Sequence, residues 1–346
     1  MTCHPEVLGA VQCGRGQVPY VADAVHFGPE ARPLSTGGPI RTYLSGTRHL
    51  PTVSPDGREY IVSPTTWFIS GASSGLGHAL AQHVLEQGHR VVATAPVVAP
   101  MAGLADGHPD ECLVLQLDVT DGHRCAEAVR EAEEWSGGID VLVNNAGVDI
   151  IGAIEEQHES DYRAVFEVNF FGAVALTRAV LPAMRGRRRG TIVNISSMDG
   201  PASVPGNGFY AASKSALDGF TEALWQEIEP LGLRALLVLP GSFRTGIEHR
   251  TRASGDPISE YAVTAGAFRA IMDRATPDMF PGDPARAAEV IFKEALSPTP
   301  RHWLVLGSDA QRRIGVKLDQ LRADYEAGKD VALSTDYPGS GEYAVL

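Results

Sequence analysis

Ser70-Gly71-Ala72-Ser73-Ser74-Gly75-Leu76-Gly77 is the stretch on which the fold turns. It stands between Trp67-Phe68-Ile69, a short apolar run of strand formers, and Leu76 to Glu86, where Leu76, Leu80 and Val84 recur at helical spacing. A side chain at these glycines would block a tight turn, the approach of a pyrophosphate, or close helix-to-sheet packing. The N–H groups and positive dipole end of the helix suit a phosphate. A glycine triplet alone is equally a plain strand-to-helix turn, and its place inside a strand-turn-helix unit is what points to a dinucleotide.

Outward from this turn the chain alternates strand and helix signals. Strands are expected over Arg90 to Thr94, Cys112 to Leu117, Ile139 to Val143, Thr191 to Ser196, Leu233 to Leu239 and Trp303 to Leu306. Helices are expected over Gly122 to Trp135, Ser160 to Met184, Phe209 to Ile228, Pro284 to Leu296 and Asp309 to Glu326. Strands separated by helices of this length imply right-handed crossovers, and so an α/β fold: a doubly wound parallel sheet of the Rossmann type. One domain over residues 65–330 accommodates it, followed by a tail over 331–346. Residues 1–64 are studded with breakers, from Gly14 and Pro19 to Pro55, Gly57 and Pro64, and read as an irregular extension.

Composition narrows the function classes. A formal net charge of -13 would repel a polyanion, so neither nucleic acid nor a membrane surface is expected as a partner. The basic run Arg185, Arg187, Arg188, Arg189 reads as a solvated turn between a helix and a strand. Cys3, Cys13, Cys112 and Cys125 show neither a CxxC pair nor His partners at ligand spacing, so no metal is expected and the thiols read as free. No secretory leader pattern opens the chain, and a cytoplasmic location is the default.

Tyr210 and Lys214 are four residues apart in a helical stretch, so both project from one face. Reducing a ketone requires a proton donor at the nascent alkoxide. A free tyrosine near pKa 10 serves poorly at neutral pH unless a cation favours its phenolate, and Lys214 offers that cation. Such a pair is common on helix surfaces, and its company gives it meaning. Ser197 ends the strand Thr191-Ile192-Val193-Asn194-Ile195-Ser196-Ser197, where parallel strands collect ligands, and its hydroxyl can donate to a substrate oxygen. Asn169 lies among apolar neighbours inside the long helix, where a polar residue needs a reason: either a site role or a bond to local backbone.

Together these motifs resemble the short-chain dehydrogenase/reductase family over about residues 65 to 310. Gly71-xxx-Gly75-x-Gly77 matches its glycine spacing, Asn144-Asn145-Ala146-Gly147 its signature beside the cofactor, and Asn169, Ser197, Tyr210 and Lys214 its catalytic tetrad. The resemblance implies Tyr210 as general acid/base and Lys214 as the group lowering the tyrosine pKa and binding the nicotinamide ribose. It implies Ser197 as the group polarising the carbonyl and Asn169 as the holder of a water in a proton relay. Cofactor contacts are implied at Gly71, Ser73, Ser74, Gly75, Leu76, Gly77, Asp118, Val119, Asn145, Ala146, Gly147, Tyr210, Lys214, Pro240, Gly241 and Thr245. At Asp118 an adenine contact and a cap on the following helix stand as equal alternatives. The family's helix pairing implies a homodimer or homotetramer through the helices at Ser160 to Met184 and Phe209 to Ile228.

The resulting expectation is an NAD(P)(H)-dependent oxidoreductase, a ketoreductase or alcohol dehydrogenase acting on a small-molecule ketone/alcohol pair. Alternatives are a dinucleotide-sensing binding protein without turnover and a nucleotide-sugar epimerase or dehydratase. Where family members carry an acid for NAD or an arginine for NADP, this chain has Ala95 and Pro96. Lack of an acid removes the repulsion of a 2'-phosphate, which favours NADP(H) and leaves NAD(H) possible. Asp149 and Asp199 follow directly on two of the motifs. Facing the substrate, they would add negative charge and favour an amine-bearing or polyhydroxylated ketone; otherwise they point to solvent or cap a turn. Phe243, Ile247, Tyr261, Phe268, Met272, Met279 and Phe280 suggest a sizeable, partly apolar substrate under a mobile lid.

Overall fold

The structure is a computed structural model, and it describes residues 51–53, 59–61, 64–299 and 301–337. Its first strands, β1 (Pro51–Val53) and β2 (Glu59–Ile61), pair antiparallel. The stretch expected to be irregular therefore holds a two-stranded ribbon, in keeping with the strand formers Val53, Tyr60 and Ile61. The remainder of the expected extension lies outside the described residues.

The strands that follow are β3 (Thr66–Ser70), β4 (Arg90–Ala95), β5 (Cys112–Gln116), β6 (Val141–Asn144), β7 (Ile150–Ile151), β8 (Thr191–Ile195), β9 (Arg234–Pro240), β10 (Arg252–Ala253) and β11 (Trp303–Leu306). All but β7 and β10 form one seven-stranded sheet in the order β11-β9-β8-β6-β3-β4-β5, every pair parallel. The helices are α1 (Gly75–Glu86), α2 (Ala102–Gly107), α3 (Gly122–Ser136), α4 (Glu159–Phe166), α5 (Gly172–Arg187), α6 (Gly208–Ile228), α7 (Ala265–Met272), α8 (Pro284–Ala295), α9 (Ser308–Ala327) and α10 (Lys329–Leu333). The expected doubly wound sheet is the fold observed.

Both faces of the sheet are covered, so its strands are apolar on both sides. Along β3, Trp67 and Ile69 pack on one face with Leu80 and Val84 of α1 and Ile291 of α8, while Phe68 packs on the other with Val129 of α3 and Leu176 of α5. Each such side chain contributes about 1.5–3 kcal/mol on leaving water. Trp67 stacks on Phe292 at 5.4 Å between ring centroids and donates its indole N–H to Thr65, so its one polar atom is satisfied.

Two features position the site. First, β3 and β6 are neighbours from which the chain winds in opposite directions, to β4 and β5 on one side and to β8, β9 and β11 on the other; ligands collect in the crevice at the strand ends there. Second, the helix expected to run unbroken from Ser160 to Met184 contains a π-helical turn, Glu167–Phe171, between α4 and α5. That wider turn holds Asn169, whose Oδ1 accepts from Val148 N at 2.8 Å and whose Nδ2 donates to Val148 O at 3.0 Å. By composition the 159–187 helix is long and apolar enough to cross a bilayer. Here Val165, Leu176, Val180 and Met184 are buried against the rest of the fold.

Candidate active site

A cleft of about 680 Å³ opens at the carboxyl ends of the central strands. Gly71, Ser73, Ser74, Gly75 and Leu76 form one wall. Gly71 sits at φ +67°, and a Cβ there would lie 2.8 Å from Ala146 Cα; Gly75 sits at φ +60°. Side chains are disfavoured at both points by conformation, and at Gly71 by space as well. Gly77 lies behind the wall, where a Cβ would strike the Asn145 amide, so its role is close packing and not a lining contact. No side chain caps α1 and no acid lies in its first turn, which leaves its N–H groups facing the cleft. This cradle fits a dinucleotide pyrophosphate.

Around it the other expected residues gather with differing roles. Ser70 Oγ accepts from the N–H groups of Asn145 and Ala146 at 3.0 and 3.1 Å. The Asn145 side-chain amide donates to Ser70 O and Gly71 O at 2.9 and 3.0 Å, so it braces the glycine loop. Asp118, Val119, Ala146, Gly147, Pro240, Gly241 and Thr245 all line the cleft. Asp118 accepts from the N–H and hydroxyl of Thr120, while the cap on α3 is Asp121, accepting from Arg124 N; the helix-cap alternative for Asp118 is thereby removed. Asp309 accepts from Ser242 N at 2.8 Å and holds the segment after β9. At the far end, Ala95 is buried and Pro96 lines the wall, so neither an acid nor a cation occupies that position.

At the catalytic end, α6 presents Tyr210 and Lys214 from one face beside Ser197, which follows β8. Ser197 lies close enough to the Tyr210 phenol to pull its pKa down. The Lys214 Nζ lies 5.8 Å from the centre of the tyrosine ring and donates to Ile195 O at 2.9 Å. Burial lowers the Lys214 pKa to about 8, against the opposing pull of Asp218 and Asp149. The phenol pKa is raised, first by burial and then by Asp149 and Asp199. This is opposite to the direction expected from Lys214, because in the protein alone desolvation and two acids dominate the phenol's surroundings. Asn169 completes the constellation as a brace. Besides Val148 it donates to Ser213 Oγ at 3.0 Å, so the amide ties α6 to the turn after β6.

Asp149 and Asp199 both face the cleft. Thr251 Oγ1 donates to Asp149 Oδ2 at 3.1 Å, and Asp149 O accepts from Arg252 N where β10 pairs with β7. Burial, reinforced by Asp199, raises the Asp149 pKa to about 7. Asp199 accepts from Asn207 Nδ2 at 3.2 Å and is ion-paired with Arg313 of α9. The expected excess of negative charge is therefore reduced on both sides: one acid is countered by an arginine and the other holds its proton toward neutral pH.

Four contributors escaped the sequence reading. Arg313 lies 114 residues from Asp199 and carries no local signal. Arg250 donates to Thr245 O at 3.0 Å, and its Nη2 would lie 3.5 Å from a Cβ on Gly75, directly over the cradle. Asn207 precedes α6 and is buried. Asp218 accepts from Ser196 Oγ and shares the helical face of Tyr210 and Lys214, a spacing that was available to reading. Of the apolar residues expected in the lid, Phe243, Ile247, Phe268, Met272, Met279 and Phe280 line the cleft; Tyr261 instead donates to Glu155 at 2.7 Å.

Comparison with known proteins agrees with this fold. The short chain dehydrogenase family matches residues 65–255. An oxidoreductase of Botryotinia fuckeliana is 32% identical over 270 residues, covering 78% of this chain and 98% of that protein. The 3-ketodihydrosphingosine reductase of Bacteroides thetaiotaomicron is 42% identical over 185 residues, covering 54% of this chain and 66% of that one. Among solved structures, a short-chain dehydrogenase from Streptomyces avermitilis superposes with a TM-score of 0.75 at 37% identity, covering 79% of this chain and 99% of that chain.

Proposed function

The chain belongs to the short-chain dehydrogenase family, and from that premise we propose that it is an NAD(P)(H)-dependent oxidoreductase interconverting a ketone and a secondary alcohol. The observation that carries the reading is the convergence of Ser197, Tyr210 and Lys214 beside the glycine cradle, at one end of a single cleft. When bound, the nicotinamide dinucleotide supplies or accepts the hydride. Tyr210 Oη gives a proton to the carbonyl oxygen during reduction and takes it back during oxidation. Ser197 Oγ donates to the same oxygen and steadies its developing charge. Lys214 keeps a cation against the phenolate that reduction leaves behind, and its protons not bonded to Ile195 are free for ribose hydroxyls. The name of the Bacteroides relative, a keto reductase, supports this class of reaction.

NADP(H) is favoured over NAD(H) on one feature, the lack of a carboxylate at Ala95 that would repel a 2'-phosphate. A dissociation constant for NADH tenfold below that for NADPH overturns this preference. The reaction itself is tested by following NADPH and NADH oxidation against a panel of alkyl and aryl ketones, with Tyr210→Phe beside the wild type. The variant should lose about a hundredfold or more in turnover, the low end of a general-acid contribution. Its dinucleotide affinity should stay within about twofold. A Tyr210→Phe protein that keeps more activity than that overturns the assignment.

A further inference from the structure

The substrate half of the cleft is chemically uneven. Its outer part is apolar: Phe268, Ile271 and Met272 of α7, with Met279 just beyond. Ile271 and Met279 are 48% and 51% exposed, so this wall continues to the surface without a polar rim at those points. The inner part, around Tyr210, is polar: it holds the donors Ser197, Lys214 and Arg313, and Arg313 Nε is buried without a partner. Asp149 Oδ1 and Asn207 Oδ1 are both buried and have no hydrogen-bond partner. Thr251 serves the other Asp149 oxygen, while the Asn207 amide nitrogen is committed to Asp199. A buried polar oxygen left without a partner is costly, so each favours a ligand that supplies one. They line the same cleft, and Asp149 is close enough to Tyr210 to raise the phenol's pKa.

Resting on the reading that the site reduces a ketone, we infer that its substrate is an amphiphile carrying an amine or hydroxyl donor next to the carbonyl. Asp149 and Asn207 receive that donor, and an apolar chain leaves along Phe268, Ile271, Met272 and Met279. A ketone without the donor leaves both oxygens unpaired in the cleft, a loss that discriminates more strongly than a missing methylene. The apolar chain contributes through area removed from water.

Binding of matched alcohols to the full chain saturated with NADP+ or NAD+ tests this by calorimetry. The probes are 2-decanol, 1,2-decanediol, 1-amino-2-decanol and the short 1-amino-2-propanol. Both donor-bearing decanols should bind at least tenfold tighter than 2-decanol, and shortening the chain should weaken binding by a hundredfold or more. Asp149→Leu should erase the donor gain and Ile271→Asp should reduce the chain gain; the wild-type series decides the matter even if a variant does not fold. Equal binding of 2-decanol and the donor-bearing decanols overturns the inference. Turnover of 2-decanone with no gain from a neighbouring amine or hydroxyl also overturns it, and leaves ketone reduction standing. Donor-ranked binding in a protein that turns over no ketone overturns the proposed reaction and leaves the pocket's selectivity.

Discussion

Arg313, on helix α9, is ion-paired with Asp199, two residues beyond Ser197. The pair couples an element outside the nucleotide-binding core to the catalytic turn. Arg313 lowers the pKa of Asp199, and more weakly that of Tyr210, in a site where burial pushes both upward. Its side chain is 28% exposed and that of Asp199 13%, so the interaction is screened less than a surface pair.

Replacing Arg313 with methionine keeps the aliphatic packing and removes the charge. With the cation gone, the pKa values of Asp199 and Tyr210 should both rise. In the direction of alcohol oxidation, where the phenolate is the base, the rising limb of the pH–rate profile should move to higher pH. The dinucleotide dissociation constant should change little, since Arg313 lies at the substrate end. A pH profile superimposable on the wild type would refute this coupling.

Arg250 makes a different kind of prediction, because it sits over Gly75 in the cradle. A guanidinium there would meet a pyrophosphate held by the cradle, a group common to both dinucleotides. Arg250→Met should weaken NADH and NADPH binding about equally, by roughly tenfold at low salt for one charge-assisted contact of ~1.4 kcal/mol. The difference should shrink as ionic strength rises. Titration by cofactor fluorescence reads it, and a loss confined to one dinucleotide would place Arg250 elsewhere.

Asn169 should matter to stability as well as to rate. Its amide makes three hydrogen bonds, two to Val148 and one to Ser213, and it is 1% exposed. Asn169→Ala strands the Val148 N–H and C=O inside the protein, which should cost about 2–4 kcal/mol. Urea unfolding measures it. A cost under ~0.5 kcal/mol would mean that water or a relaxed π turn replaces the amide.

What was legible in the sequence follows from the range of the forces involved. Strands such as Arg90–Ala95 and helices such as Gly122–Ser136 lie within a residue or two of their expected bounds, since periodicity and capping are local. The glycine loop and the Tyr210–Lys214 pair were equally local, one turn or one helical repeat apart. The π turn at Glu167–Phe171 was not, because it is set by Asn169 reaching Val148, 21 residues away. Arg313 and Asp199, 114 residues apart, meet only once α9 docks through Ala310 and Ile314 on the sheet. The short α2, β7, β10 and α7 carry too few residues for a period to register, and β7 and β10 exist by pairing with each other. The tyrosine's surroundings are legible only in part for the same reason: the Lys214 cation is visible in sequence, whereas burial and the two facing acids are not.

Asp149 supplies the sharpest pH dependence. Burial raises its pKa to about 7, with Asp199 reinforcing the shift and Thr251 and Lys214 opposing it. A raised acid stays protonated in the folded protein after the unfolded chain has ionised near pH 4. Its contribution to stability is therefore fully present below about pH 4 and is lost as pH climbs through about 7. Asp149→Asn removes the titration, so the variant should gain on the wild type across that window, by a few kcal/mol at most. The same substitution removes a negative charge that raises the Tyr210 pKa, and the rising limb for alcohol oxidation should move to lower pH, opposite to the shift expected for Arg313→Met. Unfolding free energies at pH 4.5, 6 and 8, with pH–rate profiles on both variants, give the two readouts. A wild-type-to-variant stability difference that stays flat from pH 4.5 to 8 would show that Asp149 is ionised throughout, and shifts of the same sign in the two variants would show that neither acts on Tyr210 through charge.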